Sequence, residues 1–129
     1  MPITCHLDHA KQRIIGLASG TLSDEDLFAY QQQAGAFADY DELFDGTAVE
    51  KLHDVNPLSL KKLAEVAAAT DIPGQRAKLA IVAPRDLYFG LGRMYESLRE
   101  GSPRTTREVG VFHSREEAES WLDTPTVEE

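Results

Sequence analysis

AKLAIVAPRDLYFGLGRMYESLRE, residues 77–100, is the stretch whose reading decides the fold. Leu79-Ala80-Ile81-Val82-Ala83 is a nearly continuous apolar run, the pattern of a strand covered on both faces within a parallel sheet. Pro84 ends the run by removing a ladder donor, and Asp86 places an acceptor and a negative charge where a helix start needs them. Leu87, Leu91, Met94, Tyr95 and Leu98 then recur as one apolar stripe, predicting a helix that faces a core with these residues while Tyr88, Phe89 and Arg93 point elsewhere. Gly90 and Gly92 each cost such a helix about 1 kcal/mol relative to alanine, which close packing of helix on sheet would offset. They are no dinucleotide fingerprint, because they lie inside the helix rather than in the turn before it and the third glycine is missing.

Outward from this strand and helix, the 129 residues suffice for one core, and neither a repeat nor a linker divides them. The expected organisation is one domain over 1–123 and a flexible polar tail over 124–129, which has nothing to bury. A hydrophobic share of 42% with 27% charged residues is that of a globular chain rather than a disordered one. The net charge of −9 argues against nucleic acid, whose binders carry a basic footprint, and against an acidic membrane surface. No apolar run is long enough for membrane insertion. The single Cys5 forms no internal disulfide and the N-terminus lacks a secretory pattern, so a cytoplasmic location is expected.

Ile3, Cys5 and Leu7 alternate with polar residues, and Arg13 to Ala18 reads as the second strand of a hairpin. Ser19-Gly20-Thr21 breaks the pattern; Ser23 then caps a first helix with Asp24, Glu25 and Asp26 in its first turn. Leu27, Tyr30, Ala34 and Phe37 mark its buried face, which leaves Gln31, Gln32 and Gln33 as its wet side. Tyr40 to Asp45 reads as a short strand closed by Gly46, and weak periodicity predicts a connection from Thr47 to Asn56. Asn56-Pro57 starts a second helix with Leu60, Leu63, Ala64 and Ala67 inside, and Asp71-Ile72-Pro73-Gly74 stops it. Arg107 to Phe112 is a last strand, and Ser114 with Glu117 forms the capping box of a closing helix. The order is ββαβαβαβα: an α/β domain with a mixed, mostly parallel five-stranded sheet and about four helices.

The segments GTLSDEDLFAYQ from Gly20, YDELFDGTAVE from Tyr40, AIVAPRDLYFGLGRMYE from Ala80 and EVGVFHSREEAESWL from Glu108 together resemble the SpoIIAA-like family. These are small bacterial domains related to the STAS fold of anti-sigma-factor antagonists and compared with the lipid-binding CRAL-TRIO fold. The resemblance implies a regulatory or ligand-binding role without catalysis. True antagonists carry an Asp-Ser-Ser-Gly-type motif between the third strand and the second helix, with a serine that a partner kinase phosphorylates. The corresponding stretch here is Asp45-Gly46-Thr47-Ala48-Val49, so Thr47 is the one residue there able to accept phosphate.

Ligands of parallel sheets favour the crevice at the carboxyl ends of the strands, which gathers Asp45, Thr47, Pro84, Arg85 and His113. His6, His9, His53 and His113 show no metal-ligand spacing, Cys5 has no activating neighbour, and no G-x-S-x-G elbow exposes a serine. No catalytic residue, metal or cofactor is therefore expected. Two functions remain. In one, Tyr88, Phe89 and Arg93 belong to a contact surface for a protein partner or a second copy in a homodimer. In the other, the second and third helices part to admit a small apolar ligand or lipid lined by Leu58, Ala64, Phe89 and Met94.

Overall fold

The computed structural model describes residues 2–125. Strands β1 (Ile3–Asp8) and β2 (Arg13–Ser23) form the hairpin, followed by β3 (Asp41–His53), β4 (Ala77–Val82) and β5 (Arg107–Phe112). Helices α1 (Asp24–Ala34), α2 (Pro57–Thr70) and α3 (Asp86–Glu100) make the crossovers, and α4 (Arg115–Leu122) follows β5. The five strands lie in the order β1-β2-β3-β4-β5, with β1 antiparallel to β2 and every later pair parallel. This is the expected mixed α/β sheet. Each parallel strand is added beside the one before it, so right-handed crossovers put α1, α2 and α3 on the same face. There Leu79 of β4 and Val109 of β5 pack against Leu60, Leu63, Ala64 and Tyr95. The alternate residues Leu43, Ala80 and Val82 face the other way, under Ala118 and Leu122 of α4.

Two strands run further than alternation predicts. Ser19-Gly20-Thr21 lies within β2, and residues 47–53, where a connection is expected, extend β3 beside it from Ser19↔Ala48 to Ser23↔His53. Gly46 and Thr47 together oppose Ala18, and Glu50 is an extra residue opposite the Gly20–Thr21 step. Each bulge shifts the side-chain parity by one, erasing the period-2 pattern. Gly20 takes a φ of +67° at the second of them, a conformation that suits glycine.

Three side-chain expectations are corrected. On α3, Leu87 is 69% exposed and Met94 37% exposed, while Gly92, Tyr95 and Arg99 are buried. The helix is rolled so that Gly92 meets the sheet: a Cβ there would lie 2.9 Å from the Val111 side chain. Gly90 meets nothing within 4 Å, and nothing in the structure explains it. On α1, Gln31 is buried and only Gln32 and Gln33 face water. Thr124, expected in a loose tail, donates from its backbone to Trp121 and accepts from the Lys78 ammonium; 126–129, the rest of that tail, lie outside the described residues.

A buried ion cluster closes the amino edge of β4 and β5. Asp71, at the end of α2, has a side chain 2% exposed, and its two oxygens accept from Nη2 of Arg99 at 3.0 and 2.9 Å. Thr105 Oγ1 and the Thr106 N–H also donate to it, at 2.8 and 3.0 Å, and Nε of Arg107 lies 3.9 Å away. Arg99 Nη1 donates to the Tyr95 hydroxyl at 2.9 Å. Burial works against the Arg99 charge, but Tyr95 and Asp71 together hold its pKa above the ordinary value. Arg107 donates to the carbonyls of Tyr40, Lys78 and Ala38, anchoring the turn before β3 to β5.

Asp71→Ala should lower stability by about 3–5 kcal/mol, because it strands two buried guanidinium groups; urea denaturation measures this, and a change under 1 kcal/mol would remove the cluster from its role. The two helix glycines should part in sign. Gly90→Ala gains up to about 1 kcal/mol from helix propensity, while Gly92→Ala loses about 1–3 kcal/mol by pushing α3 off Val111, both read from thermal melts.

Candidate functional site

The carboxyl edge of the sheet keeps its polar residues occupied with one another. Asp45 is buried on the α4 side; its Oδ1 accepts from the Thr47 N–H at 2.9 Å and from the Thr47 hydroxyl, while Oδ2 lies 3.5 Å from Arg115 of α4. Thr47 is exposed but sits in the bulge of β3, not before a helix as the antagonist motif would place it. Arg85 and the Tyr88 hydroxyl both donate to the Glu50 carbonyl, at 3.3 and 2.9 Å, which satisfies the residue bulged out of β3. Phe89 stacks face to face on His113, with centroids 4.0 Å apart and planes within 3°. Arg93 reaches back to Glu96 at 3.2 Å. Leu58 is 63% exposed and Ala64 is in the core. None of Leu58, Ala64, Phe89 and Met94 lines the two clefts between the helices and the sheet; Ala64 lines an open groove between α2 and α3 with Lys61, Glu65, Ser97 and Leu98.

Two apolar clefts of about 90 Å³ each lie beneath α1, α2 and α3 and share the walls Leu27, Phe44 and Ile81. The outer cleft reaches the carboxyl edge, between Val49 and Leu52 of β3 and Tyr88, Leu91 and Gly92 of α3. The inner cleft is closed by Leu63 of α2, Leu79 of β4 and Tyr95 of α3, and it alone contains polar side chains deep in the fold: Tyr30, Gln31 and Glu42.

Local sequence explains how they come together. Glu42 and Phe44 have the same parity on β3, so both point to the face covered by α1–α3, and Glu42 is paired between Ile14 and Leu79 in the middle of the sheet. Tyr30 and Gln31 are on the inward side of α1. The Tyr30 ring lies directly over Gly16, where a Cβ would come within 2.6 Å of it, and meets Phe44 edge-on at 5.4 Å. These contacts hold the phenol in place, yet its shielded hydroxyl has no hydrogen-bond partner. Burial pushes the Tyr30 pKa well above 10.0, and Glu42, whose carboxylate faces the phenol, pushes it further. Burial also raises Tyr95, with Arg99 opposing, and raises Cys5, with Glu42 adding to it. Gln31 donates from Nε2 to Thr70 Oγ1 at 3.4 Å while that hydroxyl donates to the Ala67 carbonyl, so the amide oxygen is the free end of Gln31. Glu42 is 6% exposed, faces the Tyr30 phenol and takes part in no ion pair among the described residues. The legible trace of this site was an acidic residue two positions before Phe44 in a strand covered on both faces.

No protein-family model and no curated protein matches the chain. Among solved structures it is similar to an uncharacterized protein of the DUF3478 family with a SpoIIAA-like fold from Shewanella loihica PV-4, with a TM-score of 0.58 over 93% of this chain and 91% of that one. This chain has a SpoIIAA-like fold. At 20% identity the likeness extends to the backbone alone. The antagonist serine has no counterpart in the Asp45–Val49 stretch of this SpoIIAA-like sheet. Among the described residues no helix is long and apolar enough to cross a membrane, and no group of three His, Cys, Asp or Glu is placed to hold a metal.

Tyr30→Phe should stabilise the SpoIIAA-like domain by about 1 kcal/mol, since it removes a buried hydroxyl that lacks a partner. The phenol's folded pKa is the higher one, so the stability tied to its neutral form is complete below the unfolded value of 10.0 and falls as pH rises beyond it. The variant should therefore also lose less stability above pH 10 in an alkaline melt series; a lower melting temperature at neutral pH would contradict the orphaned hydroxyl.

Proposed function

We propose that this SpoIIAA-like domain is a non-catalytic, regulatory binding module that takes a small, mostly apolar ligand into the clefts between α1–α3 and the sheet. The observation that carries this reading is the inner cleft: an apolar space lined by the carboxylate of Glu42 and by Tyr30, whose buried hydroxyl lacks a hydrogen-bond partner. Natural cores pair such groups, and those left unpaired are retained where function needs them. Size limits the ligand. An engineered apolar cavity of about 150 Å³ admits benzene, and pockets for drug-sized molecules begin near 300 Å³, so two clefts of about 90 Å³ fit a single ring or a short chain rather than a long-chain lipid.

A contact surface is the second reading, favoured by the carboxyl edge. Leu87 is 69% and Leu58 63% exposed in the first turns of their helices, and the Phe89–His113 stack stands at the same end. A protein partner or a second copy covering that edge would lie beside the outer cleft, whose wall includes Tyr88 and Leu91. Ligand entry and partner contact would then influence each other.

Hexanol and indole at 100 times their dissociation constants should raise stability by about 2.7 kcal/mol, visible as a higher melting temperature. Leu27→Phe, which adds bulk at the wall common to both clefts, should abolish that rise. If neither compound shifts the wild-type melt, or if Leu27→Phe responds as the wild type does, the clefts are not the site.

A further inference from the structure

We propose that the inner cleft selects a small apolar primary amine, bound as its ammonium ion with the nitrogen at Glu42. The proposal rests on the cleft reading above and adds the chemistry of the ligand. Glu42 brings a carboxylate into a space whose walls, beside Tyr30 and Gln31, are Leu27, Phe44, Leu63, Leu79, Ile81 and Tyr95. No cation of the described residues neutralises it. Arg107 is committed to the carbonyls of Ala38, Tyr40 and Lys78 and to the side of Asp71, and Arg99 to Asp71 and the Tyr95 hydroxyl. Were the Tyr30 hydroxyl to swing onto Glu42, it would satisfy one lone pair and leave the charge and the second oxygen as they are. An unpaired buried carboxylate is costly, and a cation delivered with its own apolar body removes that cost without bringing water in.

The acceptors choose among cations. Glu42, the free amide oxygen of Gln31 and the Tyr30 oxygen all belong to residues lining the one cleft, and an alkylammonium has three N–H donors to give. A guanidinium would bring five donors to four acceptor oxygens, an alcohol would bring one donor and no charge, and a carboxylate would face Glu42 with its own sign. The apolar remainder of the amine extends past Ile81 toward Leu91 and Gly92, a length of one ring or about six carbons by the volume comparison above.

Calorimetric titration of the wild-type protein with hexylamine, hexanol and hexanoate tests this. Hexylamine should bind at least tenfold tighter than hexanol, and hexanoate weakest. Glu42→Gln, which keeps the shape and leaves the protein strongly acidic, should erase the hexylamine advantage while hexanol binds as before. Hexanol binding with no preference for the amine, or a preference that survives Glu42→Gln, overturns the amine site and leaves the cleft standing. Absence of binding by all three overturns both. On the wild type alone, nuclear Overhauser contacts should join the hexylamine α-methylene to Tyr30 and Leu63 and its terminal methyl to Leu91. Contacts confined to exposed carboxylates such as Glu116 would overturn the proposal even if Glu42→Gln failed to fold.

Discussion

Everything on the helical face depends on the clasp between Asp71 and the two arginines. It ties the end of α2 to the end of α3 and to the start of β5, and through Arg107 to the turn that opens β3. An ion pair this deep adds little net stability over well-packed apolar residues, but removing one partner is severe, so it fixes which segments meet rather than how strongly. The helices are thereby fastened at the amino edge of the sheet. Toward the carboxyl edge they are held by apolar contacts and by the Glu50 carbonyl, which receives Tyr88 and Arg85. The clefts run from the fastened end to that one.

Most of the architecture could be read from the chain because its elements are locally consistent. The run Leu79–Ala83, the caps Ser23, Asn56 and Ser114, and the Asp71–Gly74 stop each state one boundary, and the structure keeps all of them. Where long-range pairing overrides local pattern, the reading fails. The far half of β3 is a strand because β2 lies beside it, and its two bulges scramble the alternation that would announce it. The roll of α3 is set by Gly92 against Val111, a contact 19 positions apart in sequence, so the stripe drawn through Leu87 and Met94 misses it.

The candidate site was legible only in fragments. Tyr30 reads correctly as an inward residue and Glu42 lies in a stretch that reads as strand, but nothing local says that α1 sets the first against the second. The crevice argument points to the carboxyl edge and is too general about the residues: Asp45, Thr47 and Arg85 are there, each already held by Arg115, by Asp45 or by Glu50. What distinguishes the inner cleft is the reverse condition: the Tyr30 phenol, held against Gly16 and Phe44, has a hydroxyl without a partner, and Gln31, held by Thr70, leaves its amide oxygen free. Preorganised and unsatisfied groups are what a binding site has to offer, and they cost the empty protein stability.

The central claim is that Glu42 in its apolar cleft awaits a cationic head. A crystal structure of the protein soaked in hexylamine tests it most directly. Density for the chain along Phe44 and Ile81, with its nitrogen within hydrogen-bonding distance of Glu42, is the predicted result. An inner cleft left empty, with Glu42 turned onto Tyr30 and the amine bound only at the surface, would contradict it.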